Sequence, residues 1–142
     1  MLIYMSKISA KTGIVAPRVP ADLNKSAEFI FGDEREYESY NFVNIENVAQ
    51  YASDMKMQES LFNHANLAQS QLVNTKVVDV KFDDCDISNT KFEKCFLERV
   101  EFVKCRMTGF KAIETNFIDV LFKDCQLKLS QFRMSKFKHI VF

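Results

Sequence analysis

A five-residue rhythm holds from Phe62 to Phe142, and neither a helix nor a flat strand can carry it. The rhythm places an apolar centre at Phe62, Leu67, Leu72, Val77, Phe82, Ile87, Phe92, Leu97, Phe102, Met107, Ala112, Phe117, Phe122, Leu127, Phe132, Phe137 and Phe142. Two residues before each centre stands a residue that is mostly small or β-branched, such as Ser60, Ala65, Thr75, Val80 or Cys85. The positions between are mostly Lys, Asp, Glu, Asn, Gln and Arg. An α-helix closes a turn in about 3.6 residues, so a spacing of five rotates off any one face. A flat strand alternates, and throws every second centre outward. A strand of about three residues followed by a corner keeps the centre and its small neighbour both inward.

A longer period tells how many corners close one lap. Val80-Lys81-Phe82-Asp83-Asp84-Cys85-Asp86-Ile87 returns twenty residues later as Val100 to Met107, and again as Val120 to Leu127. Self-similarity at a fixed period predicts a solenoid, here with four fives to the coil. Stacked coils give four interior columns. One is all phenylalanine: Phe62, Phe82, Phe102, Phe122 and Phe142. Rings about 4.8 Å apart suit offset stacking. One coil breaks the size rule, with Phe110 at a small site and Ala112 at a centre. Two readings stay open there. Either the ring moves two residues along and volume is conserved, or a bulge near Gly109 brings Ile113 inward.

Ala65-Asn66-Leu67-Ala68-Gln69 fits the unit Ala-(Asp/Asn)-Leu-x-x, and looser units keep its register from about residue 55 to 142. On these residues the chain resembles the pentapeptide repeat proteins. The resemblance implies an all-β fold: a right-handed quadrilateral β-helix, or solenoid, of about four coils of twenty residues with a non-repeat N-terminal segment. Residues 1–36 are the non-repeat segment, 37–56 a degenerate first coil or cap, and 57–142 the repeat β-helix. Tyr37 and Phe42 fall on the rhythm, whereas Asn47 and Ala52 are poor centres, and Asn47 to Met55 reads equally as a short helix or loop. Ala16-Pro17-Arg18-Val19-Pro20 reads as extended, because each proline disfavours helix before it. Glu28-Phe29-Ile30-Phe31 reads as a short strand ended by Gly32-Asp33. This segment is expected to pack along or across the first coil.

Charge cancels overall, 19 basic against 19 acidic residues, but unevenly. From Ser60 onward the balance is 13 against 10, or +3; the first 59 residues carry 6 against 9, or −3. Neither a membrane-length apolar run nor a leader pattern is visible, so the expected location is cytoplasmic. Cys85, Cys105 and Cys125 share one column and Cys95 lies on another face; all four occupy the small inward site and read as buried small hydrophobes, not as zinc ligands or a disulfide.

Catalysis needs polar groups converging in a concave site. His64 and His139 both fall at outer corners, and Asp83, Asp84 and Asp86 read as a solvated acidic turn. No nucleophile has a companion His, and no glycine-rich phosphate loop occurs. No enzyme activity, cofactor or metal is therefore expected. The outer faces are polar apart from a few apolar positions. Val78, Phe96, Val103, Ile118 and Leu121 are predicted to gather near one edge as a contact surface, unless the N-terminal segment covers them. Lys123, Lys128, Arg133, Lys136 and Lys138 make the last coil basic. Its open edge is expected to stack on a second copy in an end-to-end homodimer, unless the sequence is cut short.

The function this supports is a non-enzymatic interaction protein, with another protein as partner, no membrane contact and no specific nucleic-acid binding. The alternative implied by the resemblance is a DNA-mimicking binder of type II topoisomerase that protects it from quinolones. The positive repeat region departs from the acidic rod that such mimicry needs.

Overall fold

The computed structural model describes residues 3–5 and 13–142. These residues contain no helix. The strands are β1 (Ile3–Met5), β2 (Arg18–Pro20), β3 (Asn24–Ser26), β4 (Glu36–Glu38), β5 (Tyr40–Val43), β6 (Tyr51–Ser53), β7 (Lys56–Asn63), β8 (Gln71–Val73), β9 (Lys76–Asp83), β10 (Lys91–Glu93), β11 (Phe96–Val103), β12 (Lys111–Ile113), β13 (Asn116–Lys123), β14 (Gln131–Arg133) and β15 (Lys136–Val141). Apart from β1 and β2, which pair antiparallel, every pairing is parallel and joins residue i to i+20 in the repeat region. Phe62, Phe82, Phe102 and Phe122 therefore face one another in register.

Corners repeat more strictly than centres do. Every fifth residue from Glu34 to His139 has a positive φ, between 49° and 72°, including Gly109. An L-residue in this left-handed region costs roughly 1–2 kcal/mol, least for Asn and Asp. Asn or Asp holds Asn44, Asp54, Asn74, Asp79, Asp84, Asn89, Asp119 and Asp124, yet Lys94, Arg99, Leu129 and Met134 bend the same way. Tertiary stacking, not local propensity, sets the bend. Corner amides bond to the next coil where one follows: Asn74 N–H donates to Glu93 C=O at 2.9 Å, and Lys94 N–H to Ile113 C=O at 2.9 Å.

The four sides are unequal. The long strands β7, β9, β11 and β13 run over two sides and bend at their internal corner, Glu59, Asp79, Arg99 or Asp119. They form one sheet in the order β15-β13-β11-β9-β7-β5-β3, with β4 also on β7. Strands β14-β12-β10-β8-β6 make a second. The remaining side holds only single bridges, Glu46 to Asn66, Asp86, Arg106 and Gln126 in turn. There the backbone tightens: Ser88 N–H donates to Asp86 Oδ1 at 2.9 Å, and Phe110 N–H to Met107 C=O at 3.0 Å.

The tube makes about six turns rather than about four. The extra turns come from residues 24–56: β4, β5 and β6 stack on the repeat coils with corner spacing unbroken from Glu34, whereas β3 pairs with β5 outside the twenty-residue register, Asn24 facing Tyr40. Asn47 to Met55 is neither helix nor loop, since β6 lies within it. Phe110 and Ala112 are both fully buried, and Ala112 stays in register with Phe92 and Phe132. The coil therefore swaps volume without a bulge. Gly109 sits at a corner with φ +72°, and a Cβ there would lie 2.3 Å from Asn89 Oδ1.

Two further expectations need correction. Residues 28–31 are not a strand; the strand is β3, just before them. Phe29 and Phe31 turn inward instead and plug the first coil, with the Phe29 ring 5.0 Å from those of Tyr37, Phe42 and Phe62. Nor do residues 14–20 stay on the first coil. They climb the outside of the tube, Arg18 bonding to Asp79 and Val15 to Asp119.

Candidate interaction surface

The interior leaves no room for chemistry. Phe62, Phe82, Phe102 and Phe122 stack at 4.8–5.1 Å with interplanar angles of 5–16°. The void between Phe29, Phe31, Leu72 and Phe92 measures about 10 Å³, room for one water at most, and its lining is almost wholly apolar. Buried hydroxyls mostly donate to the strand carbonyls beside them, with Ser88 Oγ left without a partner. Thr115 Oγ1 donates toward Phe92 C=O at 3.3 Å and Ile113 C=O at 3.1 Å. The thiols do the same: Cys95 Sγ lies 3.4 Å from Leu72 C=O, Cys105 Sγ 3.4 Å from Phe82 C=O, and Cys125 Sγ 3.2 Å from Phe102 C=O. Cys85, Cys95 and Cys105 are buried and Cys125 half-buried; none forms a disulfide. Burial pushes the Cys95 thiol up to about 11. For Cys105 a hydrogen bond with Cys125 pulls the thiol down, but that with Cys85 and burial outweigh it and raise it to about 12; Cys125 is raised by its hydrogen bond with Cys105 and by burial.

Outside, charged groups pair along columns instead of converging. Asp83 lies 4.0 Å from Lys81, Asp84 2.8 Å from His64, and Asp86 3.6 Å from Arg106. The three acids of that corner thus point to three different partners. His139 Nδ1 lies 3.1 Å from Asp119 Oδ1. Among the described residues, no group of three His, Cys, Asp or Glu is placed to hold a metal ion. No helix of the described residues is long and apolar enough to cross a membrane.

The least exposed outer ion pair joins Asp79 and Arg99. Asp79 takes Arg99 Nε at 2.6 Å on Oδ1 and Nη2 at 3.0 Å on Oδ2, and it is 6% exposed. Glu98 accepts from Arg99 as well. Hydrogen bonding to Asp79 holds the guanidinium further into its charged form. This column signals itself in the sequence only as Asp79, Arg99 and Asp119 at the twenty-residue spacing.

The five apolar positions picked from the sequence are all half-buried and fall into separate neighbourhoods. Phe96 and Ile118 line one shallow concavity of about 240 Å³, together with Asn116, Phe117, Lys136, Phe137 and Lys138. Val78 is separated from Ile118 by Glu98. Leu121 sits between Glu101 and Val141, and Val103 between Asp83 and Lys123. A larger groove of about 620 Å³ runs between the N-terminal segment (Pro17, Val19, Pro20, Leu23) and the outer side chains of Leu61, Lys81, Asp83 and Glu101. Glu101 is half-buried there, and desolvation raises its carboxyl above the usual range. The rhythm of the centres gave no hint of this groove, because one wall comes from outside the repeat.

The family model described as a pentapeptide repeat region matches residues 75–142. No curated protein sequence matches the chain. Among solved structures, a pentapeptide repeat protein, Rfr23, from the cyanobacterium Cyanothece 51142 is similar over 75% of this chain and 66% of its own, at 12% identity and a TM-score of 0.32. QnrB1 (R167E, trypsin-treated), a plasmid-mediated fluoroquinolone resistance protein, is similar over 82% of this chain and 80% of its own, at 8% identity and a TM-score of 0.42. The five-residue corners, the twenty-residue register and the family match meet in one stretch: residues 75–142 match a pentapeptide repeat region, and they fold as part of a four-sided parallel β-helix.

Proposed function

We propose that this chain is a non-enzymatic interaction module that offers a rigid side face to an acidic protein partner. The observation behind this reading is the concavity of Phe96, Ile118 and Phe137, flanked by Lys136 and Lys138. Apolar surface with a cationic rim fits a partner segment that pairs carboxylates with one or two large apolar side chains. The filled interior and the dispersed ion pairs support an absence of catalysis. The concavity also favours side-on contact over a twofold end-to-end homodimer. Residues 125–142 carry Lys128, Arg133, Lys136 and Lys138 and no carboxylate, so two such coils face to face bring like charges together. The same excess of positive charge disfavours the DNA-mimic reading, which needs a negative rod.

The test compares proteins retained from the native cell by the wild-type chain and by Phe96→Ala at equal folded concentration. The reading expects a specific partner to be lost with Phe96→Ala, and a gyrase supercoiling reaction to be unaffected by the wild-type chain. Should Phe96→Ala lower stability while the retained proteins stay the same, this face is not the contact surface.

A further inference from the structure

Residues 14–20 reach the tube in an unusual way. They do not extend either sheet; they cross the stacked strands along the corner column of Asp79, Arg99 and Asp119. Two backbone amides fasten them: Arg18 N–H donates to Asp79 Oδ1 at 3.0 Å, and Val15 N–H to Asp119 Oδ1 at 3.4 Å. The fit is metric. Three extended residues span about 10 Å, and two coils at about 4.8 Å each span about 9.6 Å. Each corner carboxylate has a second partner: Arg99 meets Asp79 at both oxygens, and His139 Nδ1 shares Asp119 Oδ1 with the strap amide. Ile14, Ala16, Val19 and Pro20 are buried, while the Arg18 side chain is exposed. On one flank the segment borders the groove of about 620 Å³ rather than packed protein.

We propose that this corner column is a rail for extended polypeptide, that residues 14–20 occupy it as a releasable strap, and that the same segment supplied in trans takes its place. Three observations carry this. Recognition runs through backbone N–H groups, which any extended chain except at proline can offer. The rail has partners of its own apart from the strap, since Arg99 bonds both oxygens of Asp79. The strap's own ladder is to β1, outside the tube, and no ladder ties it to a repeat strand, so it is expected to leave without opening the coils. The occupant the geometry defines is an extended segment with apolar or small residues at alternate positions and a free amide every third residue. This surface is distinct from the Phe96 concavity, and it stands or falls separately from the partner reading.

Trypsin reads strap release directly, because the exposed Arg18 precedes a bond that an extended, fastened chain protects. The full chain is compared with Asp119→Ala, which removes one acceptor, and Asp119→Asn, which retains one. Cleavage after Arg18 is expected to speed up about tenfold in Asp119→Ala, as loss of one charge-assisted hydrogen bond implies. Asp119→Asn should stay near wild type, with the β-sheet circular dichroism of all three unchanged. A synthetic peptide of residues 13–20 with Arg18→Lys(acetyl), added at millimolar concentration, is then expected to accelerate cleavage of the chain's own Arg18. Equal cleavage rates for wild type and Asp119→Ala would overturn the strap. Failure of the peptide to change the rate in either protein would overturn exchange on the rail.

Discussion

The coil at 37–56 and the coil at 77–96 obey the same backbone rule with different side chains. In the later coil the centres are Val77, Phe82, Ile87 and Phe92, each preceded by a smaller residue. In the earlier one two centres, Asn47 and Ala52, are too small or too polar to fill their share of the tube. Yet its corners at Ser39, Asn44, Ala49 and Asp54 bend with φ of 56–61°, matching those at Asp79 to Lys94. The missing volume arrives by two routes. Ile45 and Met55, at sites that are small elsewhere, are buried to 2% and 1% exposure. Phe29 and Phe31 come in from the preceding segment, and Asn47 Nδ2 is absorbed by donating to Phe29 C=O. The lesson is that a coil is conserved as a sum of inward volume plus a corner, not as a large centre. Phe110 and Ala112 make the same exchange in the coil at 97–116.

If inward volume is what each coil conserves, removing it should hurt most where nothing can move in. Phe102→Ala leaves a ring-sized gap between Phe82 and Phe122, stacked on it at 5.0 and 5.1 Å, and is expected to cost about 3–5 kcal/mol in urea unfolding. Phe29→Ala, in the plug of the earlier coil, should cost less, about 2–3 kcal/mol, since residues 28–31 have no ladder and can settle inward. A larger loss for Phe29→Ala than for Phe102→Ala would mean that the plug, not the stacked column, anchors the tube.

The thiols sharpen the contrast, since the earlier coil has none. A thiol held above its ordinary value near 9 stabilises the fold below that pH, and the contribution is lost as pH rises through the folded value. The window therefore runs from about 9 to about 11 for Cys95 and to about 12 for Cys105. Between pH 8 and pH 10.5 the wild-type chain should lose roughly 3–4 kcal/mol more than a Cys95→Ala, Cys105→Ala variant. Equal losses would place those thiols in contact with water. The smallest effects concern the corners. Ala49→Asn and Lys94→Asn each replace a residue that tolerates positive φ poorly, and each should stabilise by about 0.5–1 kcal/mol. A gain in one coil alone would show that the two do not share the corner rule.

Much of this was legible in the chain because two periods coincide in it. Phe62, Phe82, Phe102 and Phe122 repeat at twenty residues and the centres at five, which no other regular structure satisfies. The number of coils was less legible. Scoring centres alone discounts Asn47 and Ala52, whereas the compensating volume sits at Ile45, Met55, Phe29 and Phe31, off the counted position. The outer face was less legible still. Val78, Phe96, Val103, Ile118 and Leu121 share a neighbourhood on a flat map of the repeat. The corner at Asp79, Arg99 and Asp119 divides them, and the strap at residues 14–20 has no period to announce it.

The most direct measurement is a set of proton–proton distances from nuclear Overhauser spectra on chains labelled only at phenylalanine. The account predicts ring contacts from Phe82 to Phe62 and to Phe102, and from Phe102 to Phe122, each pair twenty residues apart. Rings of Phe82 and Phe102 with no mutual contact, or with contacts confined to residues nearby in sequence, would contradict a coil of twenty residues and everything derived from it.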